Sequence, residues 1–223
     1  MASFFRYILV DPLVATLGFI YEGPAFHDLG VSIVMLTILV RGVLAPLFYA
    51  SFKAQAKLRA LQPHVKRIQE KHKDDREAQG KALMELYKEH GVNPFMSIVM
   101  LFVQLPVLIA LYNVSLYHLG AFEPSFLGLI NLHERSTIIV AVAAILQYIA
   151  GILGAAGMPK NDPSARMAKN MAVMGPILTV AVLSSLPSAV GIYWVTTTVF
   201  SIAQQMHINK KFSGHGTHTQ NPA

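Results

Sequence analysis

The sequence predicts an all-α integral membrane protein with five transmembrane helices, an N-terminal interfacial helix and a cytoplasmic helical hairpin. Three observations carry that class. Apolar residues make up 53% of the chain and charged residues only 13%, about half the charged fraction of an ordinary soluble protein. The charges are clustered, which leaves uncharged stretches long enough to span a bilayer. Those stretches also lack the interleaved polar residues that a soluble core needs on its outer face.

Residues 1–28 form the predicted external amphipathic segment. Phe4 to Tyr21 is apolar but carries Arg6, Asp11 and Pro12, which suits a helix lying in the interface better than a span. A cleaved signal peptide is the competing reading, yet no clean apolar run followed by an A-x-A site is present. The first span falls within 29–52, as LGVSIVMLTILVRGVLAPLFYA, interrupted only by Arg41. Spans two to five fall within 93–206, at 95–117, 137–154, 171–186 and 188–205. The second follows Asn93-Pro94, an N-cap and a proline at the first helical position. The last three run roughly 24–27 Å, short of a hydrocarbon core of about 30 Å. Pro46, Pro106 and Pro176 mark kinks or local unwinding within spans. Residues 207–223 read as a cytoplasmic polar tail, frayed from 209 onward.

Between the first two spans lies the predicted cytoplasmic hairpin, residues 53–92. Leu58, Leu61, Val65, Ile68 and His72 step by three and four residues, an a/d-like seam. Leu83, Leu86, Tyr87 and His90 supply a second apolar edge, and Lys73-Asp74-Asp75 with Gly80 offers a polar break between the two. Pro63 starts or kinks the first arm.

Basic residues set the orientation. Lys53, Lys57, Arg59, Lys66, Arg67, Lys71, Lys73, Arg76, Lys81 and Lys88 crowd the hairpin, Lys160, Arg166 and Lys169 the loop before span four, and Lys210-Lys211 the tail. Only Arg6 and Arg135 fall on the opposite side. This places the C-terminus in the cytoplasm and the N-terminus outside. The net charge of +6 therefore reports topology, and no specific nucleic-acid sequence is expected as a partner.

Chemistry is sparse. No cysteine is present, which excludes disulfides, thiolate metal sites and cysteine nucleophiles. The five spans hold no Asp, Glu, Lys or His. Aspartyl and zinc proteases need paired aspartates or H-E-x-x-H, and a serine protease needs a histidine base at membrane depth. Proton-coupled transport usually shows intramembrane carboxylates or histidines. A non-enzymatic protein without a cofactor or metal is the expectation.

Arg41 is the exception. An arginine at the centre of a span costs about 2.5–3.5 kcal/mol on insertion scales, so a water-filled cavity is the sharper reading. Arginine capping the carbonyls of a broken helix is the alternative. Thr37, one turn earlier, shares its face. Gln104 and Gln147 add an amide on each of two other helices, and Tyr193, Trp194 and Thr196 to Thr198 lie at membrane depth. Any one of these more often makes an interhelical hydrogen bond than lines a pathway. Met158, Met167, Met171 and Met174 could form an adaptable apolar surface.

Several segments in order resemble the YidC/Oxa/Alb family of membrane protein insertases. Val40-Arg41-Gly42 to Pro46 resembles the first core span, LRALQPHVKRIQEK and LYKEHGVNPF the two ends of the cytoplasmic hairpin, VQLPVLIALYNV the second span, and LPSAVGIYWVTTTVFSIAQQ the junction of the last two. The resemblance covers residues 29 to 206. It implies a hydrophilic groove open to the cytoplasm and to lipid and closed outside. In that groove Arg41 matches the family arginine, Thr37 the polar residue one turn before it, Gln147 the third-span glutamine, and Tyr193-Trp194 the aromatic pair. It further implies nascent membrane proteins, the ribosome, the Sec translocon, the signal recognition machinery and the lipid bilayer as partners, in a bacterial plasma membrane. Two departures are the missing glycine-cysteine element after Asn93-Pro94 and the expected absence of a large external domain before the core.

Overall fold

Apolar segments of this length satisfy their backbone amides internally, and the chain does so as helices. The computed structural model describes residues 6–117, 122–155 and 163–213. Phe4, Met158, Lys160 and the tail beyond 213 lie outside the described residues. A π-helical turn, Arg6–Val10, leads into α1 (Asp11–Glu22), with Pro12 in its first turn. There follow α2 (Leu29–Val43), α3 (Ala45–Ala60), α4 (Gln62–Lys71), α5 (Arg76–Glu89) and α6 (Met96–Tyr117). After a short β-ribbon come α7 (Thr137–Ala155), α8 (Pro163–Leu183) and α9 (Ser188–Ser213). The described residues divide into two compact units, one of residues up to 44 and from 103 onward, the other of residues 45–102.

In the first unit the core lies where α1, α2, α6 and α9 meet. Leu17, Ile20 and Tyr21 of α1, Leu29, Ile33 and Leu36 of α2, Leu111 and Val114 of α6, and Ile192 and Tyr193 of α9 are buried together. Helix spacing explains the set, since residues three and four apart share a face. α7 and α8 pack closely: a Cβ on Gly151 would lie 2.8 Å from the Ala172 Cα, the small-residue contact that brings helices together in membranes. The outer surface is apolar. Ile138, Ile145 and Ile152 of α7 and Ile177 and Leu178 of α8 are exposed, whereas Ser32, Thr37, Arg41 and Ser188 are buried. Such an inversion is what hydrocarbon around the bundle selects. Among the described residues α7 alone is long and apolar enough to cross a membrane by itself; Phe102–Val114 and Ala172–Leu183 are shorter apolar stretches.

Several expectations are corrected. The first span is not one helix: α2 stops at Val43, only 15 residues long, and a new helix starts at Ala45. Pro46 explains the break, because it has no amide to donate back and its ring crowds the preceding turn. Pro106 and Pro176, by contrast, sit inside α6 and α8, which run on through them. α8 begins eight residues earlier than the predicted fourth span, and α9 runs past 205 to Ser213, so the start of the predicted tail is helical. Their 21 and 26 residues correspond to about 31 and 39 Å; only the apolar part of α8 is short. Nor is the chain wholly helical. Ser125–Phe126 pairs antiparallel with Ile130–Asn131 across a turn at Leu127, Gly128 and Leu129.

In the second unit, α4 and α5 pack antiparallel. The Lys57 Nζ donates to the His90 carbonyl at 3.3 Å, and the Gln79 amide to the Gln69 carbonyl at 3.4 Å. Leu61, Val65, Leu86 and Val92 are buried between them, with Leu58, Ile68, Leu83 and Tyr87 packed alongside. Pro63 stands in the first turn of α4. The Asp75 carboxylate caps α5, accepting from the amides of Glu77 and Ala78. Gly80 lies inside α5 and takes no part in the break.

Candidate functional site

Arg41 is in the last turn of α2, and its side chain is only 5% exposed. A cation there complements the negative end of the helix dipole. α2 and α9 start at the same end of the bundle: the Leu132 carbonyl accepts from the Ala189 amide at 3.0 Å, and the Asp28 carboxylate, which caps α2, bonds the Leu127 amide. Arg41 and Phe200 each lie twelve residues into their helix, about 18 Å from that end. They therefore meet at one depth, with the Arg41 Cζ 5.6 Å from the centre of the Phe200 ring, within cation–π range. Tyr193 is buried on α9, on the helix face that also carries Thr197 and Phe200. Thr37 is buried one turn before Arg41 and donates its hydroxyl to the Ile33 carbonyl at 2.6 Å, leaving oxygen lone pairs free to accept.

The structure thus brings Arg41, Thr37 and Tyr193 together on the facing sides of α2 and α9. Gln147, on α7, is placed elsewhere: it packs against α8, where a Cβ on Gly175 would lie 3.4 Å from its Cγ. Trp194 points the other way round α9 from Tyr193 and packs on Ala143, Leu183 and Val190. Gln104 is half-buried in α6. The threonines differ from the expected interhelical bonding. Thr196 and Thr198 donate to the carbonyls of Ile192 and Trp194, four residues back on their own helix. Phe200 was missed by the sequence reading. Its signal was the spacing Tyr193, Thr197, Phe200, one face of α9 at i, i+4 and i+7.

At the opposite end of the bundle from this site, hydrogen bonds tie separate segments together. The Glu134 carbonyl accepts from the Ser188 amide at 2.9 Å and from the Ser188 hydroxyl at 2.6 Å. The Tyr21 hydroxyl accepts from the Glu123 amide at 2.8 Å. A buried guanidinium near hydroxyls and aromatic faces can attract an anion or water.

Residues 21–215 match the family model for the 60Kd inner membrane protein. The chain belongs to this family, YidC/Oxa. Among relatives of the family member, the membrane protein insertase YidC of Citrifermentans bemidjiense is 33% identical over 204 residues, which is 91% of this chain and 37% of the relative. The YidC insertase of Geobacter metallireducens is 30% identical over 208 residues, 92% of this chain and 38% of the relative. That of Francisella tularensis subsp. novicida is 31% identical over 186 residues, 82% and 33%. This YidC/Oxa chain spans little more than a third of the length of these relatives. The family and its members set the chain in the bacterial plasma membrane.

Proposed function

We propose that the chain is a membrane protein insertase that receives nascent membrane proteins, and that it acts without enzymatic chemistry. Residues 29–50, α6, α7, α8 and α9 are the five crossings in this reading, with α1 in the external interface. The N-terminus is outside; α4, α5 and the C-terminus are in the cytoplasm, where the basic residues cluster. Thr37, Arg41 and Tyr193 line a hydrophilic groove in this reading, with Gln104 on its wall, while Gln147 and Trp194 pack outside it, against α8 and the Ala143, Leu183 and Val190 cluster. The ribosome, the Sec translocon and the signal recognition machinery are the partners that would deliver or share clients.

One observation carries the reading: a guanidinium only 5% exposed sits inside a bundle whose outer surface is apolar. A carboxylate in the polar tail of a client meets a positive charge there instead of bare hydrocarbon. At an effective dielectric of about 20, a pair at 4 Å is worth about 4 kcal/mol before desolvation. Both ions shed water, so a net of about 1–2 kcal/mol remains, roughly tenfold in residence.

Reconstitution of the chain in liposomes tests this with matched single-span substrates that differ only in one or two tail carboxylates. Arg41→Ala should lower insertion of the acidic-tailed substrate about tenfold and that of the neutral one much less. Arg41→Lys should keep most activity, since a point charge suffices where no bidentate geometry is needed. Equal losses on both substrates would transfer the role from charge to hydration, and no loss on either would remove Arg41 from the mechanism. Flux of a small anionic solute without insertion would favour a transporter or channel subunit.

A further inference from the structure

Two turns outside the site present apolar side chains in a conformation that L residues avoid. Phe26 and His27, between α1 and α2, and Leu127, in the β-turn, have φ of 53°, 63° and 55°. They are the non-glycine residues with positive φ among the described residues. Glycine or asparagine would fill such positions with less strain. The side chains held there are not core: Phe26 is 89% exposed, Leu127 61% and Leu129, beside it, 84%.

The turns are fixed in place and to each other. One Asp28 oxygen accepts from the Val31 amide at 2.8 Å, and the other accepts from the Leu127 amide. The His27 amide donates to the Tyr21 carbonyl at 3.0 Å, and Phe126 fills the space that a Cβ on Gly30 would need. The Phe26–His27 turn directly precedes α2, and the Leu127 turn is held to the Asp28 cap of that helix, so both stand at the level where α2 begins. The charged residues around them, Glu22, Asp28, Glu123, Glu134 and Arg135, are net negative, which disfavours attraction to anionic lipid.

We propose that Phe26, Leu127 and Leu129 form a lipid-anchoring rim, inserted at the headgroup–acyl boundary of the outer leaflet, that sets the height of this end of the bundle by apolar contact alone. A lipid surface fits better than a protein partner because the outer face of α7 is apolar from its first turn, where Ile138 is 71% exposed, and rigid apolar tips among polar neighbours match the headgroup–acyl boundary. The inference rests on the reading that α2 and α7 cross the bilayer, and not on insertase activity.

The chain has no cysteine, so F26C, L127C, L129C, I145C and K71C can each be spin-labelled singly in the full chain, in vesicles of phosphatidylcholine with or without phosphatidylglycerol. Collision rates with oxygen and with a water-soluble nickel chelate report depth. Ile145, in mid-α7, should be oxygen-accessible and Lys71 nickel-accessible. The three rim labels should favour oxygen, at shallower depth than Ile145 and equally in both lipids. In the triple variant F26S/L127S/L129S, a label at Ile138 should shift toward water. Rim labels as nickel-accessible as Lys71 would overturn the inference, as would labels shielded from both reagents by protein, dependence on phosphatidylglycerol, or an Ile138 depth that does not move. Failure at Ile145 itself would instead overturn the span assignment.

Discussion

The two oxygens of Asp28 have different duties: one caps α2 and the other holds the Leu127 turn. An N-cap is worth about 0.5–2 kcal/mol, and the exposed Leu127 amide can turn to water. Asp28→Ala should therefore cost about 1–2 kcal/mol in thermal unfolding in detergent. Asp28→Asn should lose less, because its one remaining oxygen can still cap. An unchanged melting temperature in Asp28→Ala would refute the capping role. Phe200 offers a second residue-scale test. Its ring lies under the Arg41 guanidinium, and a partly desolvated cation–π contact is worth about 0.5–2 kcal/mol. Phe200→Leu keeps the apolar volume and removes the ring quadrupole, so insertion of acidic-tailed substrates should fall severalfold with little change in stability. A loss of folding without that selectivity would make Phe200 a packing residue only.

At the scale of elements, close approaches decide how the helices stack, and two of those that glycine permits differ in their cause. On Gly151 a Cβ would meet the Ala172 backbone at 2.8 Å, so α7 and α8 must separate to admit one. Gly151→Leu should destabilise by about 1–3 kcal/mol, as overpacking does, and Ala172→Gly should not rescue it, because the obstacle is a Cα. On Gly30 the obstacle is the Phe126 side chain down to its Cβ, at 2.6 Å, so Gly30→Ala should be rescued by Phe126→Gly. Unfolding of the four variants in detergent distinguishes these cases, and rescue at both sites would contradict the backbone argument. In the pair α4 and α5 the seam is small and partly solvated. Leu86→Ala, which empties its centre, should cost about 2 kcal/mol and open residues 61–92 to protease. Equal protease resistance would mean that the seam contributes little.

For the whole molecule, the clustering of basic residues supports the proposed orientation. Lys71 and Lys81 belong to the basic segment between α3 and α6. Cysteines placed at these positions should react with a membrane-impermeant maleimide only after the cytoplasmic side is opened, while one placed at Glu22 should react from outside. The reverse pattern would invert the topology. The bundle end that carries Glu134, Ser188 and Tyr21 is tied together by hydrogen bonds between segments far apart in sequence.

Much was legible in the residues alone, and the reason is locality. Helical runs, the basic segment, the polar break at Lys73-Asp74-Asp75 and the Thr37–Arg41 spacing depend on neighbours within a turn or two, or on composition, which a sequence displays directly. The helix break before Pro46 also has a local cause, which the proline itself marks within the apolar run. Tertiary structure alone decided the rest. Asp28 bonds a residue 99 positions away, and Ser188 one 54 positions back. Phe200 joins Arg41 only because α2 and α9 start at one level. Gln147 was grouped with Arg41 on polarity, yet Gly175 on α8 leaves the space its side chain fills. Hydropathy specifies which segments enter the membrane, whereas the facing of each helix follows from side-chain shapes on several helices at once, and no single segment contains that information.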